Sequence, residues 1–158
     1  MSQGGFASGP LDGKGQRHAV LVARFNSDIT EALKEGAIAA FARAGVKAED
    51  VEIFYVPGAF EFGSAAKAIA LTGRYSAVTC LGCVIQGDTD HHLYVSGEAA
   101  RLIGQAAYDT GIPVIFGVLT THTHKQALER AGATGNKGQE AADTAIEMAL
   151  LLKRIRGS

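Results

Sequence analysis

The sequence has little net charge and no long apolar run, and each shortage excludes a class of protein. Fifteen Lys and Arg residues nearly balance 16 Asp and Glu residues, so the formal charge is −1. This balance leaves no excess of positive charge of the kind that binds nucleic acid or an anionic membrane. No stretch approaches the roughly 18 apolar residues that cross a bilayer, and the N-terminus lacks a signal-peptide pattern. We therefore expect a cytoplasmic protein with neither nucleic acid nor membrane as a partner.

Cysteine is also scarce: the chain has only Cys80 and Cys83, in the order C-L-G-C. A C-x-x-C pair invites a redox or zinc interpretation. No second pair completes a zinc site, and the motif lies in an apolar segment that reads as a buried strand. Residues three apart in a strand point to opposite faces, so the two sulfurs should diverge. This predicts two small buried side chains rather than a redox or metal site.

The length of 158 residues fits one domain with a proper core. Residues 1–16 are rich in Gly and Ser and predict a flexible arm, which could add a strand to a neighbouring subunit. Residues 17–158 form the single domain. Apolar runs at 20–23, 51–56, 77–85 and 113–119 alternate with helix-like segments. We expect Ser27 or Asp28 to cap the first helix, and the third helix to span 96–109.

Apolar strands joined by helices predict a four-stranded parallel sheet in an α/β/α three-layer sandwich. Ligands of such folds bind beyond the carboxyl ends of the strands. That rule selects four loops, namely residues 24–26, 57–61, 86–92 and 120–124. Aromatic, amide, carboxylate, hydroxyl and imidazole groups should therefore meet on one rim.

The segment Gly87 to His92 is the most informative of these loops. A glycine after a strand, the Thr89 hydroxyl and the amides that open the next helix suit a phosphate, although such turns are also common helix caps. An imidazole here suits proton transfer. Together with Asp88 and Asp90, the rim histidines His91, His92, His122 and His124 raise a metal site as an alternative. For all but His91 we favour solvated residues at helix starts.

Other rim residues allow two interpretations each. Phe25 and Phe60 could stack on a planar heterocycle or belong to an interface or a hydrophobic staple. Asn26 and Glu61 could bind the hydroxyls of a polyol or cap helices. Arg130 is a candidate ligand of a doubly charged oxyanion, beside a glycine-rich bend that lacks the features of a nucleotide P-loop.

Taken together, these motifs resemble those of the lumazine synthase family, in its order and spacing from about residue 18 to the end. The matching segments are RFN at 24–26, VPGAFE at 56–61, GCVIQGDTDH at 82–91, PVIFGVLT at 113–120, QALERAG at 126–132 and GNKGQEAA at 135–142. The resemblance implies a flavodoxin-like fold and a cofactor-free transferase that works as a homopentamer or a larger icosahedral capsid of 60 subunits. It also implies riboflavin synthase as an expected partner.

The reaction implied is the condensation of 5-amino-6-ribitylaminouracil with 3,4-dihydroxy-2-butanone 4-phosphate to 6,7-dimethyl-8-ribityllumazine, a step of riboflavin biosynthesis. Orientation, proton shuttling and an oxyanion clamp would suffice for it, without cofactor or metal. By resemblance, His91 and Arg130 are catalytic, and the phosphate binds Gly87, Asp88, Thr89 and Arg130. The resemblance assigns the other substrate contacts to Phe25, Asn26, Gly58, Ala59, Phe60, Glu61, Val84, Ile85, Gln86, Lys137, Glu140 and, from a neighbouring subunit, Phe116.

The chain departs from the family pattern at three places. Gln86 stands where the family usually has a basic residue, and His92 and Leu93 replace an aromatic and an acidic residue. The bend from Gly132 to Gly138 is one residue shorter than in many relatives, which leaves pentamer, decamer and shell open. These departures keep two alternatives: a member that binds riboflavin or a pteridine with little turnover, and a chiefly structural shell subunit. An unrelated flavodoxin-like module would need a hydroxyl-rich loop after the first strand, which residues 24–26 do not provide.

Overall fold

The computed structural model describes residues 11–157, and residues 1–10 and 158 lie outside the described part. The described residues form one four-stranded sheet in the order β2-β1-β3-β4, with all three strand pairs parallel. The strands are β1 (His18–Ala23), β2 (Val51–Val56), β3 (Ala77–Ile85) and β4 (Val114–Thr121), and the helices are α1 (Ser27–Arg43), α2 (Phe62–Leu71), α3 (His91–Thr110), α4 (His124–Arg130) and α5 (Lys137–Arg156). The predicted parallel sheet between helices is confirmed.

Two apolar clusters fill the spaces between the layers. One lies between the sheet and helices α1, α4 and α5, and its largest buried side chains include Phe41, Leu33 and Ile146. The other lies between the sheet and helices α2 and α3, and contains Phe62 and Ile103. Strands β1 and β3 are buried almost throughout because both faces are covered. The edge strand β2 is only partly buried, and its Glu52 and Tyr55 are exposed.

The two cysteines point to opposite faces of β3, as their spacing predicts. Cys80 packs in the cluster beneath α2 and α3, and Cys83 packs in the cluster beneath α1 and α5. Both thiols are free and buried. Burial raises the pKa of both, to about 11 for Cys83, where the charge of Asp28 acts in the same direction.

Two helix starts differ from the sequence prediction. Helix α1 is capped by neither Ser27 nor Asp28, because both lie within its first turn and Asn26 is the N-cap residue. Helix α3 begins at His91 rather than at residue 96. The turn 91–95 has no apolar periodicity of its own, so sequence patterning could not place this start. In the structure Val95 packs against the core cluster beneath α2 and α3.

Helices α1 and α5 approach each other very closely where α5 begins. A Cβ atom on Gly138 would lie 1.9 Å from the carbonyl oxygen of Leu33, so only glycine fits there. Beside it, the buried Asn136 caps α5 by accepting hydrogen bonds from the amides of Gly138 and Gln139, at 2.8 and 3.1 Å. Its amide also donates to the carbonyl of Ala32 in α1. These contacts fix the bend of residues 132–138 against α1.

Residues 11–16, assigned above to the arm, contact the domain. The Gly13 amide donates to the Ala44 carbonyl at 2.8 Å, and the buried Gln16 side chain bonds His18 and the Ile146 carbonyl. The rest of the predicted arm, and the strand that it could add to a neighbour, lie outside the described residues. Within 11–157, no helix has the length and apolarity of a membrane span.

Candidate active site

A cavity of about 500 Å³ lies at the carboxyl ends of β1, β2 and β3. From β1 the chain proceeds to β2 on one side, and from β3 it proceeds to β4 on the other. Strand order therefore reverses between β1 and β3, and in open parallel sheets this reversal leaves a crevice that binds ligands. The cavity is lined by Phe25, Asn26, Pro57, Gly58, Ala59, Phe60, Glu61, Cys83, Val84, Ile85, Gly87, Thr89, His91, His92 and Val95.

The loop after β1 is held in an unusual backbone conformation. Asn26 has φ 60° and ψ 49°, the left-handed region that asparagine tolerates better than most residues. Its side chain donates a hydrogen bond to the Cys83 carbonyl at 2.9 Å, which ties this loop to β3. The neighbouring Phe25 side chain is 72% exposed at the mouth of the cavity. A planar ring could therefore stack on Phe25 without displacing core side chains.

The loop after β2 forms a second wall. The Phe25 amide donates to the Pro57 carbonyl at 3.1 Å, which couples the first two rim loops. The chain then makes a 3-10 turn over Ala59–Glu61 before α2 begins. Phe60 is 53% exposed, and the carboxylate of Glu61 is the only one among the lining residues. This wall offers backbone amides, an aromatic face and one carboxylate, a set that suits a polyhydroxylated chain.

The third wall runs from the end of β3 into α3. Thr89 accepts a hydrogen bond from the His91 amide through its hydroxyl oxygen at 3.3 Å, and from the His92 ring nitrogen Nδ1 through its carbonyl at 3.1 Å. Gly87 has no heavy atom within 4 Å of the position of a Cβ, so its backbone is open to a ligand. The amides at the start of α3 add partial positive charge, and together these groups can receive an oxyanion.

Electrostatically, the cavity built by one chain is incomplete. Among residues 11–157, its lining contains no Lys or Arg, although two imidazoles and a helix start face an anion site. A dianion held only by helix amides and hydroxyls would lack a charge-assisted partner. Any full positive charge must come from outside these lining residues.

Several predicted site residues do not line this cavity. Gln86 and Asp88 are exposed beside it, and the Gln86 amide oxygen bonds Nδ1 of His122 at 2.5 Å. Phe116 lies on the edge strand β4 and is 47% exposed. Arg130 ends α4, where its guanidinium donates to the Gln126 carbonyl at 2.9 Å.

Lys137 and Glu140 lie at the start of α5, outside the lining of the cavity, and form an ion pair of 2.6 Å. A single chain therefore brings together most of the predicted residues of the first three loops, but not Gln86 and Asp88. It keeps apart the aromatic residue of β4 and the basic residues of α4 and α5.

The other rim histidines are held by polar neighbours. Nε2 of His124 lies 2.6 Å from the Asp28 carboxylate, whose pKa is lowered chiefly by this bond. His122 and His124 are both exposed and outside the cavity lining. Among residues 11–157, no group of three or more His, Cys, Asp or Glu is arranged to hold a metal ion.

Sequence reasoning missed four lining residues, of which His92 matters most. His92 was interpreted as a solvated residue, yet it is half-buried and lines the cavity. The signal was its helical spacing from the buried Ala99, Ile103 and Ala106, which becomes visible only once α3 is known to start at His91. The other three are Pro57, Cys83 and Val95.

Comparison with known proteins gives concordant matches. Residues 15–153 match the family model of 6,7-dimethyl-8-ribityllumazine synthase. The chain is 49% identical over 148 residues to the 6,7-dimethyl-8-ribityllumazine synthase of Syntrophus aciditrophicus (strain SB), an alignment that covers 93% of this chain and 96% of that protein.

Proposed function

The chain belongs to the 6,7-dimethyl-8-ribityllumazine synthase family, and we propose from this membership how its cavity condenses 5-amino-6-ribitylaminouracil with 3,4-dihydroxy-2-butanone 4-phosphate. It is a transferase of riboflavin biosynthesis. The observation that carries the proposal is the cavity at the reversal of strand order, which gathers an exposed aromatic ring, a carboxylate, two imidazoles and a helix start.

The pyrimidine and its ribityl chain occupy the side of the cavity formed by the first two loops. Phe25 stacks on the ring, and Val84 and Ile85 meet its edge. Asn26 and the turn from Gly58 to Glu61 hold the hydroxyl groups of the ribityl chain. In support, Phe25 is exposed at the mouth, and the Asn26 carbonyl and amide are fixed by hydrogen bonds to α1 and β3.

The phosphate of the second substrate lies at the start of α3, on Gly87, Asp88 and Thr89. The substrate amine attacks the ketone and forms an imine with loss of water, after which the phosphate leaves. His91 transfers protons during these steps. The enzyme supplies orientation and proton transfer, since the amine is itself the nucleophile. Open backbone at Gly87 and the helix amides support this placement.

A neighbouring subunit completes the site. Phe116, Arg130, Lys137 and Glu140 lie outside the cavity of their own chain, and the described residues 11–157 place no Lys or Arg in its lining. We propose that Phe116 and the basic residues reach the cavity of an adjacent subunit in a homopentamer, where Arg130 binds the phosphate. Large exposed apolar side chains, including Tyr108 at 87% and Tyr94 at 73%, support coverage by neighbours.

Larger assembly and cellular context follow from the same membership. We propose that pentamers of this chain are the unit from which a capsid of 60 subunits could form, that the protein works in the cytoplasm, and that riboflavin synthase consumes its product. At position 86, where the family usually has a basic residue, this chain has Gln86. Its side chain contacts His122, so an imidazole lies at this part of the rim instead.

The test mixes the purified protein with both substrates and follows lumazine formation by absorbance, against the spontaneous reaction. His91→Ala and Arg130→Ala are compared with Lys47→Ala, an exposed cation that precedes β2 at the opposite end of the sheet. We expect Arg130→Ala to lower kcat/KM about 10- to 100-fold through loss of charge-assisted hydrogen bonds, and Lys47→Ala to leave it unchanged. A folded oligomer without activity above the spontaneous rate would contradict the proposal.

A further inference from the structure

We propose that His92 is a second acid–base group of this site and acts as the base that removes a carbon-bound proton before phosphate leaves. The inference rests on the proposed function, because it concerns a step of that reaction. From the sequence alone, His92 is expected to be a solvated residue at a helix start.

Helix geometry directs His92 toward the cavity. At 100° per residue, position 92 lies within about 40° of positions 99, 103 and 106 around the axis of α3. Ala99, Ile103 and Ala106 are the buried residues of this helix and pack against the sheet. His92 therefore continues the inner stripe of α3 at the level where the sheet ends and the cavity begins. His91 points about 100° away from His92 and is exposed.

The hydrogen bond of His92 sets its tautomer. Nδ1 lies 3.1 Å from the carbonyl oxygen of Thr89, and a carbonyl can only accept. Nδ1 therefore carries the proton, and the neutral ring keeps its free electron pair on Nε2. The same bond fixes the ring orientation. An imidazole oriented by a backbone carbonyl in this way is prepared to accept a proton at Nε2.

The remaining ionisable groups of the lining leave this role to His92. Glu61 is on the opposite wall, in the turn that precedes α2, and the Asp88 and Asp90 side chains are exposed outside the lining. The His91 ring makes no hydrogen bond to any residue within 11–157, so no contact fixes its tautomer or orientation. The cavity thus contains one imidazole with a fixed orientation, that of His92, and one that can rotate, that of His91. Such a pair suits a reaction in which one proton is donated and another is removed.

The reaction contains such a pair of transfers. Loss of water during imine formation needs a proton donated to the departing hydroxyl, which His91 can give. Afterwards Nε2 of His92 takes the proton from C3 of the former butanone. The C–H electron pair forms the C3–C4 double bond, the C4–O bond breaks, and phosphate leaves with the electrons of that bond. His92 then returns the proton to C4, while the enol proton passes to solvent and the enol becomes a ketone.

The test uses His92→Asn in the full-length protein. The amide nitrogen of asparagine can replace Nδ1 in the bond to the Thr89 carbonyl, but asparagine has no counterpart of Nε2. We expect kcat to fall about 100-fold with little change in KM for either substrate, as for loss of a general base. Added imidazole should restore the rate, and butanone phosphate deuterated at C3 should reveal a primary isotope effect on phosphate release. His124→Asn, which alters an exposed rim histidine outside the lining, is the matched control.

The outcomes separate this inference from the proposed function. Wild-type protein without lumazine formation above the spontaneous rate would contradict the proposed function itself. Active wild type together with a His92→Asn variant of equal kcat would overturn only the role of His92. A slow variant of native fold that shows neither imidazole rescue nor an isotope effect would also overturn it, because His92 would then only shape the turn at Thr89.

Discussion

Acidification should destabilise this protein through one buried histidine, His18 at the start of β1. Its side chain is fully buried, lies 4.5 Å from the Phe41 ring between centroids, and bonds the Gln16 side-chain oxygen through Nε2 at 2.7 Å. Nδ1 has no partner among residues 11–157. A protonated ring would therefore bury a charge and an unsatisfied donor, and burial accordingly lowers the pKa of His18 from 6.5 to about 4.

The sign and size of the effect follow from linkage. The folded state holds His18 neutral, whereas the unfolded chain binds a proton below pH 6.5. Stability is therefore complete above pH 6.5 and is lost as the pH falls toward 4. A shift of this size corresponds to a total loss of about 3 kcal/mol, of which about 2 kcal/mol is lost by pH 5. That is a large share of the free energy of unfolding of a typical domain.

The assay compares urea unfolding of the wild type and His18→Leu at pH 8.0 and 5.0, at constant ionic strength and subunit concentration. Leucine removes the titrating group but leaves the side-chain oxygen of Gln16 without its partner, so the variant is expected to be less stable at pH 8.0. The informative quantity is the change in the free energy of unfolding between the two pH values. It should be about 2 kcal/mol larger for the wild type. Equal changes in the two proteins would refute the reasoning.

Two further predictions concern packing. Gly138→Ala should destabilise the fold by about 1–3 kcal/mol or more, because its methyl group would meet the Leu33 carbonyl. At Gly97 a Cβ would meet nothing within 4 Å among residues 11–157, so Gly97→Ala should be neutral or stabilising. Thermal unfolding measures both. A destabilisation of Gly97→Ala as large as that of Gly138→Ala would contradict this. Cys80 and Cys83 should resist thiol reagents at pH 8 in the native protein and react only after denaturation. Both thiols are buried and have raised pKa values. Rapid labelling of the folded protein would contradict this prediction.

Much of the candidate site was predictable because parallel strands end at one edge. The loops at 24–26, 57–61, 86–92 and 120–124 were expected to meet on one rim. Most residues of the first three line one cavity, whereas none of residues 120–124 does. His92 was misjudged, because its orientation depends on where α3 begins. In the structure the first turns of α3 pack Val95 against the core, and local sequence preferences carry no information about that contact.

The sequence by itself determined the fold class, the family and the divergent cysteines, because each depends on periodicity or on motif order. Apolar runs separated by helical periods specify a parallel sheet, and the two-residue period of a strand sends Cys80 and Cys83 to opposite faces. The tertiary structure decided which rim residues one chain can assemble. The motifs imply a site role for Phe116 and Arg130 as much as for His91. In the fold, however, both lie away from the cavity, since β4 is an edge strand beyond β3. Distances between elements depend on how layers pack, and that packing also left His18 buried with no partner for Nδ1 among residues 11–157.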